Sequence, residues 1–414
     1  MGEGYRWFVG VDLGGELHQV MVVDAAGKVV GERVVQHEGE SLARLSAWLV
    51  EVAGDPDSMA VAIESPRSVV VEMLVERGFP VFTVNPKQLD RFRDRHTVAG
   101  AKDDRRDAFV LATSLRTDES CFHRVRLDDP VVIQLREVSR LHDTLNEELR
   151  RLANQLRDQL HRAYAAVLTL SPAADDPWLW ALLEVAPSQG AGAKLKYATV
   201  GRLLEKHRIR RFDRAALVAA LRGPRLPTAP GVAEAAAEHI QLLLPRLKLV
   251  HQQRLTVQAR ITRLLKQLSG NEEEGPPEKR GEHRDAEIIL SLPGAGKIVA
   301  ATMLAEASQP LEERSYHAIR AHAGLAPVTR RSGKRHQVLM RRACNARLRN
   351  ALYHCARGAM QGDQACRAYY AALRARGHSH GRALRSVADR LLRILMAMLR
   401  TRTLYTPAEP VAAA

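Results

Sequence analysis

Trp7-Phe8-Val9-Gly10-Val11-Asp12-Leu13 and His18-Gln19-Val20-Met21-Val22-Val23-Asp24 are two short β-rich runs separated by a turn containing Gly14-Gly15. That pattern signals an antiparallel hairpin. Val29–Val35, after Ala26-Gly27, reads as a third antiparallel strand. Helical periodicity over Glu40–Val52 predicts a helix. Met59–Glu64 is a nearly continuous apolar run ending in an acid, as expected of a parallel strand buried on both faces. A helix over 68–77 and a strand over Val81–Val84 follow. Asn85-Pro86 ends that strand, because proline restricts the residue before it.

Three antiparallel strands, a helix, a strand, a helix and a strand is the order of an RNase H-like (Holliday-junction-resolvase-like) α/β domain, spanning 1–125. The chain has 414 residues, of which 46% are hydrophobic, enough for more than one core and too many for wholesale disorder. It holds no run of about 18 apolar residues, which excludes a membrane span. Its first residues lack the layout of a signal peptide. Cys121, Cys344, Cys355 and Cys366 form no C-x-x-C pair, so neither a zinc ribbon nor a disulfide framework is indicated. A reduced, cytoplasmic setting is expected.

The net charge is +15, and it is segregated. Residues 328–402 hold 18 Lys+Arg against Asp363 and Asp389 alone, whereas 1–327 hold 44 of each sign. A localised basic domain is the footprint of phosphate-backbone binding; a solvated basic surface is the plainer alternative.

Residues 131–170 read as one long helix, with Val138, Leu141, Leu145, Leu149, Leu152, Leu156, Leu160, Ala163 and Val167 in an eleven-residue repeat. In 240–268, Ile240, Leu243, Leu247, Val250, Val257, Ile261, Leu264 and Leu268 keep heptad register, interrupted by Arg254, with Pro245 expected to kink the helix. A coiled-coil hairpin over 126–270, elaborated at 171–230, accounts for both; two amphipathic helices of a bundle would have the same spacing. A polar linker over 271–286 leads to a mostly helical domain over 287–405 and a tail at 406–414.

Asp12, near the end of the first strand, and Glu64, at the end of the fourth, would project from one sheet edge. In Lys102-Asp103-Asp104-Arg105-Arg106-Asp107-Ala108, Asp104 and Asp107 share a helix face, and so do Asp103 and Asp107. Converging carboxylates repel unless cations neutralise them, and Mg²⁺ or Mn²⁺ suits hard oxygen donors. Acids at a helix start are also common as caps or as a solvated face.

Arg330-Arg331-Ser332-Gly333-Lys334-Arg335 begins an acid-free stretch, with eight Lys+Arg between Val328 and Asn350. Ser332 is either a nucleophile among phosphate-binding guanidinium groups or part of a turn in a phosphate-binding loop. Leu292-Pro293-Gly294-Ala295-Gly296-Lys297 has the form of a helix-hairpin-helix turn, whose glycines admit a DNA phosphate, or of an ordinary helix entry. Cys344, Cys355 and Cys366 are spaced for one helix face and read as buried small apolar residues. His317, His322 and His336 show no metal-ligand spacing and read as solvated or phosphate-contacting.

Together these pieces resemble the RNA-guided (bridge-RNA) DEDD-type insertion-sequence transposases with a C-terminal catalytic serine domain. Lys102, Asp104, Arg105, Asp107 and Ala108 match the family's acidic helix motif, which favours Asp104 over Asp103. Leu-Pro-Gly-x-Gly at 292–296, Ala-Gly-Leu-Ala-Pro at 323–327 and Ser332-Gly333 match its C-terminal domain. Asn345, Arg347-Leu348-Arg349 and Ala351-Leu352-Tyr353 resemble its basic helix. The resemblance implies catalytic Asp12, Glu64, Asp104, Asp107 and Ser332, with Mg²⁺ on the four carboxylates. It implies nucleic-acid contacts at Gly294, Gly296, Arg330, Arg331, Lys334, Arg335, Arg341, Arg342 and Arg347. Donor and target DNA, a noncoding guide RNA and a homodimer or tetramer through the coiled coil are the implied partners, in bacterial cytoplasm at the nucleoid. A Mg²⁺-dependent junction nuclease using water, with Ser332 structural, is the alternative.

Overall fold

A computed structural model describes residues 4–95, 103–224, 226–270, 284–333 and 335–407. The chain divides into two compact units, Met1–Leu127 and Asp128–Ala414. Among the described residues, no helix is long and apolar enough to cross a membrane.

The first unit runs β1 (Trp7–Leu13), β2 (Leu17–Asp24), β3 (Val29–Gln36), α1 (Gly39–Ala53), β4 (Met59–Ile63), α2 (Val69–Glu76), β5 (Val81–Thr83), α3 (Pro86–Asp94), α4 (Asp104–Thr117) and β6 (His123–Arg124). The sheet order is β3-β2-β1-β4-β5-β6. β1 pairs antiparallel with β2 and parallel with β4. β4 and β5 are parallel, and β6 closes the edge antiparallel to β5. The first five strands follow the expected order; the two-residue β6 is an addition too short to show in periodicity.

Side chains alternate across a pleated strand, so each strand feeds two cores. Val9, Val11, Met59, Val61 and Ile63 pack with α1 and α2 residues such as Leu45 and Leu74. Phe8, Ala60 and Ala62 pack with Leu89 and Phe92 of α3 and Val110 and Leu111 of α4. Burial on both sides explains why β4 shows no polar alternation.

The second unit is built on α5 (Pro130–Ala163) and α10 (Val232–Ser269), which pack along one another. Between them come α6 (Pro177–Val185), α7 (Gln189–Ala193), α8 (Tyr197–Lys206) and α9 (Arg214–Arg222). Leu145, Leu149, Leu156 and Leu160 of α5 share a core with Ile240, Leu243, Leu247 and Val250 of α10 and with Trp178 and Trp180 of α6. The long helix stops at Ala163, short of 170, and a 3₁₀ turn over Ala165–Thr169 follows. α10 begins at Val232 and continues through Pro245. Leu141, expected on the seam, is exposed; Ser139 and His142 occupy the buried side there instead.

The remaining elements are α11 (Asp285–Ser291), α12 (Lys297–Glu306), α13 (Ser308–Glu312), α14 (Tyr316–His322), β7 (Val328–Ser332), β8 (Arg335–Leu339), α15 (Ala346–Gly362), α16 (Gln364–Ala375) and α17 (His380–Thr401). Their core includes Leu135 of α5 and Ile261, Leu264 and Leu265 of α10, so the base of the helix pair belongs to the C-terminal core. The β7–β8 hairpin is the non-helical part, in register from Val328↔Leu339 to Ser332↔Arg335. The linker residues 271–283 and the tail from 408 lie outside the described residues.

Candidate active site

In β1, Gly10 lets a helix sit directly on the sheet. A Cβ at this position would lie 1.8 Å from the Ala108 carbonyl oxygen and 2.7 Å from the Ala112 nitrogen, so only glycine fits beneath α4. Phe8 faces the α4 side, and strand alternation puts Gly10 and Asp12 on that same side. Ala60 and Ala62 mark the equivalent face of β4, and Glu64 follows the strand's last residue, Ile63. Because Val11 pairs with Ile63, Asp12 and Glu64 are consecutive neighbours just past that pair. Both carboxylates are half-buried.

α4 enters this edge through a run of acids that separate into different environments. Asp103 is the N-cap, its carboxylate accepting from the Arg105 N–H at 3.3 Å. Asp104 is exposed on the first turn, while Asp107 is buried, with 1% of its side chain accessible. Arg105 donates to both Glu32 oxygens at 2.7 and 2.8 Å, tying the start of α4 to β3. That hydrogen bond, more than any other influence, holds the Glu32 carboxyl below its usual range. Lys102 lies outside the described residues.

The cation that meets Asp107 comes from α3. Arg93 Nε donates to Asp107 Oδ1 at 2.6 Å and a terminal nitrogen donates to Oδ2 at 2.8 Å, a two-pronged pair. Its other terminal nitrogen donates to Asp90, one turn back. Burial works against the Arg93 charge, but the Asp107 hydrogen bonds and the charges of Asp107, Asp90 and Glu64 outweigh it and raise the guanidinium pKa. Asp107 is therefore neither a helix cap nor part of a solvated face.

Asp12, Glu64, Asp104 and Asp107 offer hard oxygen donors of the kind Mg²⁺ or Mn²⁺ accepts. Among the described residues, however, no group of three His, Cys, Asp or Glu side chains is arranged to hold an ion. Gly10 and Arg93 were not singled out from sequence. A glycine inside a strand does signal close backbone approach, whereas nothing local marks Arg93.

In the second unit, Ser332 ends β7 at the hairpin turn, followed by Gly333 in the left-handed region at φ 53°. Ser332, Arg330, Arg331 and Arg335 are all exposed; Lys334 lies outside the described residues. Arg342 is exposed too. Arg341 donates to the Ala326 carbonyl at 3.4 Å, and Arg347 pairs with Asp143 at 2.7 Å, so both have partners within the protein. Burial is the first cause of a raised Asp143 pKa, with Arg347 opposing it.

The two glycines before α12 differ. Gly294, at φ 79°, leaves no space for a Cβ, which would meet the Cys355 carbonyl oxygen at 2.0 Å; its role is close packing on α15. Gly296 is open and precedes the first turn of α12. The three cysteines do not share a helix face, because α15 ends at Gly362 and Asp363 caps a new helix. Cys344 precedes α15, while Cys355 and Cys366 are buried in α15 and α16. Burial pushes both buried thiols up to about 12, as expected of inert packing groups. His322 has its Nε2 3.1 Å from the Glu306 carbonyl oxygen.

Asn345 has two structural tasks. Its Oδ1 accepts from the Leu348 N–H at 3.0 Å, capping α15, while Nδ2 donates to Glu306 at 2.8 Å. Glu306, buried at the end of α12, also accepts from Arg140 of α5 at 2.9 and 3.1 Å.

Residues 9–165 match a family described as transposase, and residues 286–371 match the transposase IS116/IS110/IS902 family. A transposase from Sinorhizobium fredii is 49% identical over 208 residues, covering 50% of this chain and 58% of the relative. The mini-circle transposase for IS117 from Streptomyces coelicolor is 30% identical over 408 residues, covering 95% of this chain and 94% of the relative. The 44.8 kDa protein of insertion element IS116 from Streptomyces clavuligerus is 29% identical over 421 residues, covering 98% of both. Matches at both ends and a relative aligned along nearly the whole length lead to one conclusion: this chain belongs to the IS110/IS116 family of insertion-sequence transposases.

Proposed function

We propose that this transposase cuts and exchanges DNA strands through a phosphoserine intermediate, with Ser332 as nucleophile and Asp12, Glu64, Asp104 and Asp107 as the acidic half of the chemistry. The observation that carries the reading is the exposed serine at the β7–β8 turn, among exposed Arg330, Arg331 and Arg335 in an acid-free stretch. Ser332 Oγ attacks phosphorus and gives up its proton. The phosphorus–O3′ bond breaks, and the departing oxygen takes up a proton to become a free 3′-hydroxyl. The 5′ phosphate stays esterified to the serine, so the bond is conserved and no nucleotide cofactor is needed for rejoining.

The four carboxylates would hold Mg²⁺, or Mn²⁺, whose chemistry when bound is to neutralise the scissile phosphate and polarise its oxygens. The arginines of the hairpin bind the phosphodiester and counter charge building on it. The sheet that carries Asp12 and Glu64 is read as RNase H-like from its strand order.

A noncoding RNA of the element is proposed to choose the sites by base pairing, leaving the protein to read backbone and shape. Assembly as a dimer or tetramer is proposed to use the helix pair as a coiled coil. Leu242 and Leu249, one heptad apart on α10, are 73% and 59% exposed and would be covered by a second copy. Association of this kind in bacterial cytoplasm, at the nucleoid, completes the reading.

Denaturing electrophoresis after incubation with element-end DNA tests the chemistry. The expected result is a covalent protein–DNA adduct that Ser332→Ala abolishes along with recombination; strand cleavage by Ser332→Ala without any adduct would instead favour a nuclease using water. Sequencing RNA that copurifies with the untagged protein tests guidance, and recovery of no defined RNA would remove that part of the reading.

A further inference from the structure

We propose that one side of α16 is a stacking site for an unpaired strand of DNA, with Tyr370 as its platform and Arg367 and Arg374 as its phosphate contacts. This rests on the DNA reading above and adds a second nucleic-acid surface to the β7–β8 hairpin. Cys366 and Leu373 anchor α16 in the core. Beside them, Arg367, Tyr370, Ala371 and Arg374 fall at i, i+3, i+4 and i+7, which makes them neighbours in one stripe. With Met360 and Gln361 at the end of α15 they line an open cleft of about 650 Å³. Residues 364–388 hold five arginines and no acid.

The two arginines are held in place without being neutralised. Arg367 donates to the Met360 carbonyl at 3.2 Å and to the Gln361 carbonyl, both in the last turn of α15. Arg374 donates to the His378 carbonyl at 2.6 Å. Among the described residues neither pairs with a carboxylate, so both charges stay available to a phosphate. Tyr370 lies between them, about one helical turn from each. Its hydroxyl is 2.7 Å from His380 Nδ1, and the two rings meet edge to face at 5.9 Å, which fixes the phenol plane. The neighbouring Tyr369 already carries Arg390 over its ring, at 4.9 Å. A fixed aromatic ring flanked by cations binds single strands, because every unpaired base has a face to stack. A duplex keeps its bases stacked on one another and offers no such face. Strand exchange passes through unpaired DNA, the occupant this side of α16 fits.

The test is fluorescence anisotropy of the full chain with labelled oligothymidylate, oligouridylate and a blunt DNA duplex over a range of salt. Tyr370→Ala should weaken oligothymidylate binding about tenfold, the worth of one stacked base, and duplex binding by less than about twofold. Tyr370→Phe keeps the ring and should stay within about twofold of wild type on every probe. Arg367→Gln and Arg374→Gln should each lower the single-strand salt slope by about 0.7, one phosphate contact. Equal losses on duplex and single strand, or a Tyr370→Phe as weak as Tyr370→Ala, overturn the stacking role. Tyr370-dependent binding confined to oligouridylate overturns DNA as the occupant and gives the site to RNA. If wild type binds the probes and every α16 variant matches it, this inference alone falls. If wild type binds no probe, the DNA reading falls and this inference with it. Should the variants not fold, the wild type still decides: photocrosslinking to iodouracil-substituted single-stranded DNA must label Tyr370 in the tryptic peptide Ala368–Arg374, read by mass spectrometry. Crosslinks found only elsewhere refute the site.

Discussion

Gly10 and Ala108 are in direct backbone apposition, with the Ala108 carbonyl oxygen occupying the space a Cβ on Gly10 would need. This contact sets the height of α4 above β1, and hence the position of Asp107 relative to Asp12. Overpacking a fitted contact costs about 1–3 kcal/mol, and here the obstacle is backbone that cannot rotate away. Gly10→Ala should lower the urea midpoint of the first unit by that order and abolish strand cleavage. Unchanged stability together with full activity would show that α4 does not depend on this seat.

Glu306 joins three elements, accepting from Arg140 of α5 and from the Asn345 cap of α15 while itself ending α12. Removing one member of such a buried network leaves the others unpaired, at a cost of about 3–5 kcal/mol. Glu306→Ala should therefore unfold the second unit several degrees earlier by calorimetry. Asn345→Ala, losing a cap and one hydrogen bond, should cost about 1–2 kcal/mol. Burial opposes the Glu306 charge, but the hydrogen bonds from Arg140 and Asn345 prevail and lower its pKa. Its contribution is accordingly present above the ordinary glutamate value of 4.5 and is lost as pH falls through the folded value.

His18 gives the first unit an acid sensitivity of its own. Its Nε2 is 2.8 Å from His37 Nδ1, and burial followed by the His37 charge lowers its pKa from the ordinary 6.5. The unfolded chain then binds the proton more readily than the folded one, so stability is full above 6.5 and declines as pH falls toward the folded value. Thermal unfolding of wild type should show this decline between about pH 7 and 5. His18→Gln should flatten it, and an unaltered pH slope in that variant would assign the sensitivity elsewhere.

Ser332 and its neighbouring arginines are exposed and pack against no core, so their substitution should separate chemistry from folding. Ser332→Ala should leave the melting temperature within about 0.5 kcal/mol equivalents of wild type. Replacing Arg330, Arg331 and Arg335 with alanine should weaken DNA binding and reduce the steepness of its salt dependence by about one counterion per lost phosphate contact. A salt slope identical to wild type would place the DNA-binding charge elsewhere in 328–402.

Strand order in the first unit was legible because β1, β2 and β4 combine strong β patterning with short turns, and Asp12 and Glu64 followed from it. The acids of α4 were less so: periodicity put Asp103, Asp104 and Asp107 on overlapping faces, and only the helix start distinguishes the cap from the buried group. Arg93 was not legible, since its partner is fourteen positions away and no local pattern links them. The β7–β8 hairpin was missed because its residues are arginine-rich and exposed, giving no alternation of apolar and polar positions. The cysteines misled for a related reason, as spacing continues through Asp363 while the helix does not.

The helix pair of the second unit is not apolar along its whole length. Leu145–Leu160 with Ile240–Val250 feed one core, and Leu135 with Ile261–Leu265 feed another. Between them, Ser139 Oγ and Arg254 Nε are buried without hydrogen-bond partners among the described residues. The helical backbones cross this polar interval unbroken, whereas the apolar packing narrows there to Val257, which touches both cores. Protection from hydrogen exchange should therefore fall into two blocks, with the Trp178-bearing end opening as its own cooperative unit while the base stays closed. Mechanically, the pair is a continuous rod in its backbone and a jointed one in its stability.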